Sequence, residues 1–199
     1  MTRADPAITG FTALVTGAGG DIGRAMVRAL LANGAFVVAV DRERQSLDSL
    51  AGEFSGDSLL TLTGDVTDEA SVSAFVGLAQ QERGRIDVLF NNAGVEGPVH
   101  AIPDYPLDAF NRVIGVNVIG VFLLMKHVIP IMAAQGSGSI VNMASTAGLG
   151  GGPNLSAYIA SKHAVVGLTR AAAAEWGSHG VQVNCIAPGL VHTPLWDGL

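Results

Sequence analysis

The chain has 199 residues, of which 49% are hydrophobic and 14% are charged, and its formal net charge is −6. This length fits one domain with one large core, and the low charge content suits a parallel sheet buried on both faces. The negative charge, without a basic tract, gives no electrostatic support for binding nucleic acid or an anionic membrane.

Strands and helices are predicted to alternate along the chain. The predicted strands are 11–16, 35–40, 58–63, 86–91, 138–144 and 181–186, and the predicted helices are 22–33, 44–54, 68–83, 107–134 and 156–178. Repeated strand–helix units favour an α/β fold with a doubly wound parallel sheet of the Rossmann type, in three α/β/α layers. We find no linker or internal repeat and expect a single domain over residues 1–199.

A glycine-rich turn follows the first predicted strand, with the sequence Gly17-Ala18-Gly19-Gly20-Asp21-Ile22-Gly23. A strand, a glycine turn and a helix form the context of a dinucleotide fingerprint, because the helix N-terminus offers unpaired N–H groups to a pyrophosphate. The strict spacing of glycines fails at Ile22, so the turn alone is a weak signal. Asp41 ends the second predicted strand, where an acidic side chain can bind the ribose hydroxyls of NAD.

The most hydrophobic region, residues 113–134, is interrupted by Asn117, Lys126, His127 and Pro130. These residues indicate a buried helix and not a membrane span. The five histidines of the chain show no metal-ligand spacing, so no metal site is expected.

Ser145, Tyr158 and Lys162 suggest a site for proton transfer. Tyr158 and Lys162 are four residues apart in a predicted helix and therefore share a face. A lysine cation favours the phenolate, so we expect the pKa of Tyr158 to fall toward neutrality, where it could act as a general acid/base. Ser145 ends a different segment and could hydrogen-bond the substrate oxygen.

Together these motifs resemble the short-chain dehydrogenase/reductase family, and the resemblance covers nearly the whole chain. It implies catalytic roles for Asn117, Ser145, Tyr158 and Lys162 in hydride transfer between NAD(H) and an alcohol or carbonyl substrate. NADP is less favoured because the charge of Asp41 should repel its extra phosphate. The cofactor-binding positions that it implies are Gly17, Gly19, Asp21, Ile22, Gly23, Asp41, Asp65, Val66, Asn91, Ala93, Gly94, Tyr158, Lys162, Pro188, Gly189, Val191 and Thr193. It also implies a homodimer or homotetramer through the long helices 107–134 and 156–178.

Asp21 departs from the family pattern, which usually has glycine there. Asp is a good helix N-cap and complements the helix dipole, so we expect a cap that points away from the phosphates. The alternative is that its charge weakens cofactor binding.

Other candidates also have structural alternatives. Asn117 could be a buried amide bonded to the backbone, which is compatible with the proton-relay role that the resemblance implies. Asp65 could cap the following helix, although Asp68 competes for that position. Glu96 and Trp196 are further candidates for contact with the substrate.

Two other functions stay open from the sequence. One is a nucleotide-binding scaffold without turnover, suggested by Asp21 and by the end of the chain at Leu199. The other is a nucleotide-sugar epimerase or dehydratase, although such enzymes usually carry a larger C-terminal substrate domain.

The two ends of the chain and its one cysteine carry further expectations. The last predicted strand would leave an open edge of the sheet, with unpaired backbone groups. Proteins of the family that the chain resembles continue past this point with a lid and a further strand. We therefore expect residues 1–199 to be an incomplete piece of a longer protein, or to be completed by a partner chain. The first six residues lack the apolar stretch of a signal peptide. Cys185, the only cysteine, is compatible with a reducing compartment, so a cytoplasmic location is expected.

Overall fold

The computed structural model describes residues 8–54 and 56–191 and contains a sheet of six parallel strands. Each strand lies within two residues of its predicted position. The strands are β1 (Thr12–Thr16), β2 (Phe36–Asp41), β3 (Leu59–Thr63), β4 (Val88–Asn91), β5 (Gly138–Met143) and β6 (Val181–Ile186).

The sheet has the order β3-β2-β1-β4-β5-β6. Leu14 of β1 is level with Val38 of β2 on one side and Leu89 of β4 on the other. The order of the strands reverses between β1 and β4, so a crevice opens at the carboxyl ends of these two strands, where open α/β sheets bind their ligands. The predicted doubly wound parallel sheet is therefore confirmed.

Helices flank the sheet on both faces. They are α1 (Asp21–Ala32), α2 (Arg44–Ala51), α3 (Glu69–Arg83), α4 (Leu107–Ile114), α5 (Gly120–Gln135) and α6 (Ser156–Trp176). The predicted helix over 107–134 is confirmed as one helical run, Leu107–Gln135, in which a π-helical segment, Gly115–Ile119, lies between α4 and α5. Such a widened turn changes the direction of its side chains and is frequent at functional sites.

Alternate residues of the strands pack into two separate hydrophobic cores, one on each face of the sheet. Ala13 and Val15 pack with Val27 and Leu47 from α1 and α2. Leu14 faces the opposite side, together with residues of α3, α5 and α6. This alternation explains why the central strands read as continuous apolar runs, since both of their faces are buried.

The helical run Leu107–Gln135 is long and apolar enough to cross a membrane by length and composition. In this fold its second part, α5, instead packs on the sheet with Leu124, Val128 and Met132 in the core. Cys185 is partly buried and packs against the same core, as expected from its apolar neighbours.

Candidate active site

The glycine-rich turn between β1 and α1 closes tightly against the helix. Gly17 has a φ of +62°, a left-handed conformation that glycine adopts at little cost. A side chain on Gly23 would collide with the carbonyl oxygen of Gly17, and a Cβ on Gly19 would lie 2.5 Å from the Cβ of Ser46. Glycine at these positions lets the turn pack closely against its neighbours in the protein.

This turn borders a cavity of about 510 Å³ at the N-terminus of α1. The expected cofactor-binding residues on its wall are Gly17, Gly19, Asp21, Ile22, Gly23, Asp41, Asp65, Val66, Ala93 and Gly94. A helix N-terminus attracts phosphate, and a carboxylate at the end of the second strand can bind a ribose. The wall therefore fits a dinucleotide, with the pyrophosphate at the glycine turn.

Asp41 is held in place by the backbone around it. One carboxylate oxygen accepts a hydrogen bond from the N–H of Gly19 at 2.9 Å, and the other accepts one from the N–H of Glu43 at 3.0 Å. The side chain thus ties the end of β2 to the glycine turn. Each oxygen retains acceptor capacity for a hydroxyl group.

Asp21 is not the N-cap of α1, so that expectation was wrong. Gly20 occupies the cap position, and Asp21 is the first residue of the helix. Asp21 also lines the larger cavity, whose wall fits the phosphates. Gly20 can take the cap because glycine adopts the extended backbone of this position as readily as aspartate does.

We expect Asp21→Asn to tighten NADH binding about three- to tenfold, because it removes a negative charge from the cavity that would hold the pyrophosphate and keeps the shape of the side chain. A fluorescence titration with NADH measures the dissociation constant. Asp57→Asn, a matched loss of charge on an exposed residue away from the cavity, should leave that constant unchanged. Weaker binding by Asp21→Asn would contradict the expectation.

Asp65 and Val66 form the wall of the cavity after β3. The Asp65 carboxylate accepts hydrogen bonds from the backbone N–H of Thr67 at 2.8 Å and from its hydroxyl at 2.7 Å. The backbone hydrogen bond is the largest cause that lowers the pKa of Asp65. Asp68, not Asp65, caps α3, since it accepts from the N–H groups of Ala70 and Ser71.

Asn91 lines neither cavity, unlike the asparagine that follows it. The Asn91 amide is buried in the sheet and donates to Asn142 Oδ1 at 2.7 Å. Asn92 instead donates to the carbonyl oxygens of Thr16 and Gly17 at 3.1 Å and lines the larger cavity. Asn92 was missed as a site residue, although its position between the candidates Asn91 and Ala93 could have indicated it.

A second cavity of about 230 Å³ adjoins the first. Both are lined by Ile22, Asn92, Gly94 and Val95, so the two spaces meet. The second cavity brings together Ser145, Tyr158, Lys162, Pro188, Gly189 and Val191 from the predicted site. Thr193 and Trp196 lie outside the described residues.

Lys162 is buried beside Tyr158. Its ammonium donates a hydrogen bond to the carbonyl oxygen of Met143 at 2.8 Å and lies 5.4 Å from the centre of the Tyr158 ring. Only 4% of Lys162 is exposed, and burial lowers its pKa to about 8. The lysine is therefore mostly charged at neutral pH and loses that charge under mildly alkaline conditions.

The pKa of Tyr158 is raised, which contradicts the expected fall toward neutrality. Burial is the main cause, a hydrogen bond with the Ser145 side chain acts in the opposite direction, and the charge of Glu96 raises the pKa further. The sequence shows that Lys162 is near, but it does not show how much water Tyr158 loses. In this state the Tyr158 hydroxyl is protonated at neutral pH and can donate a proton.

Asn117 lies in the π-helical segment and is buried. Its Oδ1 accepts from the N–H of Val95, and its Nδ2 donates to the carbonyl oxygen of Val95, both at 2.8 Å. Nδ2 also donates to Ser161 Oγ on α6 at 3.0 Å. Asn117 is thus the buried, backbone-bonded amide considered above, and it fixes the segment that connects the two cavities.

A sequence profile described as short chain dehydrogenase matches residues 11–199. Levodione reductase from Leifsonia aquatica is 42% identical over 202 residues, which cover 98% of this chain and 76% of that relative. A crystal structure of levodione reductase superposes with a TM-score of 0.92, covering 94% of this chain and 74% of that one.

Two further solved structures are similar. NAD+-bound xylitol dehydrogenase is 39% identical with a TM-score of 0.87, covering 92% of this chain and 71% of that one. The 3-ketoacyl-(acyl-carrier-protein) reductase from Brucella melitensis complexed with NADH is 36% identical with a TM-score of 0.92, covering 96% of this chain and 80% of that one. This chain therefore spans about three quarters of the length of these proteins.

Proposed function

The chain belongs to the short-chain dehydrogenase/reductase family, and we propose that it transfers a hydride between NAD(H) and a small alcohol or carbonyl compound with Tyr158 as general acid/base. NAD(P)-linked oxidoreduction in general follows from the family. The choice of NAD and the role of Tyr158 are the proposal. The observation that supports it is that Ser145, Tyr158 and Lys162 line a small cavity that opens into the glycine-bordered one.

Each group has a distinct task in the proposed reaction. A bound nicotinamide supplies or accepts the hydride at the substrate carbon. The Tyr158 hydroxyl gives its proton to the carbonyl oxygen during reduction and takes it back during oxidation. The Ser145 side chain hydrogen-bonds Tyr158 and can hydrogen-bond the same substrate oxygen. Lys162, as a cation, stabilises the phenolate that forms when the proton leaves.

The larger cavity would hold the rest of the cofactor. Asp41 would bind the adenosine ribose, the turn 17–23 would hold the pyrophosphate, and Pro188 and Gly189 would border the nicotinamide. Asn117 would keep Val95 and α6 in register, so that Lys162 stays aligned with Tyr158. The cytoplasmic location and the homodimer or homotetramer stay predictions.

The direct test is a screen of secondary alcohols and ketones with the purified protein, read at the nicotinamide absorbance. We expect NADH formation from at least one alcohol and NADH consumption with the matching ketone. Binding of NADH without turnover of any compound would instead favour a nucleotide-binding scaffold.

We expect NAD to be preferred over NADP by roughly tenfold to a hundredfold in kcat/KM. The Asp41 carboxylate would stand against the 2′-phosphate of NADP, and like charges in a partly buried site are unfavourable by about 1–3 kcal/mol. Arg42 also lines the cavity and could offset part of this. Steady-state kinetics with both cofactors measure the ratio, and equal use would show that Arg42 sets the choice.

A further inference from the structure

Glu96 places a carboxylate in the cavity that contains the reacting groups. It follows β4 and lines the second cavity together with Ser145, Tyr158 and Lys162, but it does not line the first one. Its backbone is well fixed, because Asn117 hydrogen-bonds both the N–H and the C=O of Val95, the residue before it. Glu96 is therefore positioned toward the substrate and not toward the adenosine half of the cofactor.

The Glu96 side chain has no polar partner within the part of the chain that the structure describes. Among residues 8–54 and 56–191, no side chain or backbone group hydrogen-bonds or forms an ion pair with it. It is half-buried, and burial raises its pKa. A half-buried carboxylate loses part of its hydration, and none of the described residues replaces it with a hydrogen bond. Such a group is a free acceptor for a ligand.

The surroundings of Glu96 show what kind of ligand group it would meet. Apolar side chains such as Met143, Leu155 and Leu190 supply much of the cavity wall, and Lys162 already supplies a cation. The negative charge of Glu96 is close enough to the Tyr158 hydroxyl to raise its pKa. A substrate that binds Tyr158 through its reacting oxygen can thus place another polar group near Glu96. A neutral hydroxyl donor suits this position better than an ammonium, because Lys162 would repel a second cation.

We propose that Glu96 accepts a hydrogen bond from a second hydroxyl group of the substrate, so that the preferred substrates are diols, polyols or hydroxyketones. This inference rests on the proposed oxidoreductase function and names its substrate class. The cavity of about 230 Å³ favours small compounds of this class. A hydrogen bond to an ionised carboxylate is stronger than one between neutral groups, so the preference should be measurable.

The test compares NAD-dependent oxidation of cyclohexanol with that of cyclohexane-1,2-diol, cyclohexane-1,4-diol and 2-aminocyclohexanol. It uses the wild type, Glu96→Ala, Glu96→Gln and the matched surface control Glu82→Gln. Glu96→Ala should lower kcat/KM for the better diol roughly 10- to 100-fold, as expected for the loss of a hydrogen bond to a charged group. Cyclohexanol should show a much smaller loss. Glu96→Gln should give an intermediate loss, because its amide oxygen still accepts a hydrogen bond.

A pH profile gives a second measurement that a purely structural role would not change. Removing the charge of Glu96 should shift the alkaline rise of cyclohexanol oxidation to lower pH, because that charge raises the pKa of Tyr158. The shift should appear in Glu96→Gln and Glu96→Ala but not in Glu82→Gln.

Equal losses for cyclohexanol and both diols would overturn the inference and leave the oxidoreductase function intact. A wild-type preference for 2-aminocyclohexanol that Glu96→Gln abolishes would also overturn it, since Glu96 would then recognise a cation. If the wild type binds NADH but oxidises none of the alcohols, the proposed function fails, and the substrate class falls with it. If circular dichroism shows that Glu96→Ala does not fold, the comparison of cyclohexanol with the diols is made with the isosteric Glu96→Gln alone.

Discussion

Tyr158→Phe is expected to lower kcat about 10²- to 10⁴-fold, the range that a general acid/base contributes, while NADH binding stays nearly unchanged. The substitution keeps the ring and its packing above Lys162 and removes only the hydroxyl that hydrogen-bonds with Ser145. Steady-state oxidation and reduction rates, together with a fluorescence titration of NADH, separate catalysis from cofactor binding.

Tyr105→Phe is the matched control, because it also removes a phenol hydroxyl. Tyr105 does not line the second cavity, and its buried hydroxyl has no hydrogen-bond partner within the part of the chain that the structure describes. The control should therefore keep its activity within about a factor of two and should not be less stable than the wild type. If Tyr158→Phe kept more than half of the wild-type activity, Tyr158 would not be the acid/base.

The pH dependence of the wild type is an independent check on Tyr158. Its raised pKa keeps the hydroxyl protonated at neutral pH, which is the form that carbonyl reduction needs. Alcohol oxidation needs the phenolate, so its rate should rise as the pH becomes alkaline. An oxidation rate that is greatest in mildly acidic solution would contradict this assignment.

Periodicity and turn chemistry were sufficient to predict the sheet. Each strand carries an apolar run bounded by polar or glycine residues, and parallel order follows because helices separate successive strands. The position of the site follows from the same rule, since Gly17, Asp41 and Ser145 all come at the carboxyl ends of strands, where ligands bind. These features depend on local sequence and on general rules of connection.

Features that depend on tertiary packing were not predicted. The sequence of residues 107–134 has helical character throughout, so nothing local shows that the turn around Asn117 widens to reach Val95 and Ser161. In the same way, Asn91 and Asn92 are chemically identical neighbours, and only the pleat of β4 decides which one enters the sheet.

The prediction for the pKa of Tyr158 was wrong for a related reason. Proximity in sequence gave the correct pair, Tyr158 and Lys162, but the sign of the pKa shift depends on burial, which a helical spacing does not reveal. Burial lowers the pKa of the lysine and raises that of the tyrosine, because both charged forms lose hydration. The resulting cost of a buried ammonium leads to a prediction about stability.

Lys162→Met is expected to lower activity at least 100-fold and to make the protein more stable at pH 7 by about 1–2 kcal/mol. The pKa of Lys162 is about 8 in the folded protein against 10.5 for a fully hydrated lysine, which corresponds to about 3 kcal/mol of unfavourable burial of the charged form. Lys162→Met removes this unfavourable free energy, but part of the resulting stabilisation is lost because the carbonyl oxygen of Met143 loses its hydrogen-bond donor.

The sign of the pH dependence identifies the cause of the stabilisation. A lysine whose pKa is lowered on folding binds more protons in the unfolded state than in the folded state between about pH 8 and 10.5. The destabilisation that Lys162 causes in the wild type is therefore complete below about pH 8 and disappears as the pH rises toward 10.5. The advantage of Lys162→Met should therefore be full at pH 7 and shrink toward pH 10 in urea unfolding. The control is Lys126→Met, which replaces an exposed lysine that is paired with Glu69. It should show neither the gain in stability nor the loss of activity. If Lys162→Met were less stable than the wild type at pH 7, the buried ammonium would stabilise the fold. The view that it lowers stability for the sake of catalysis would then be wrong.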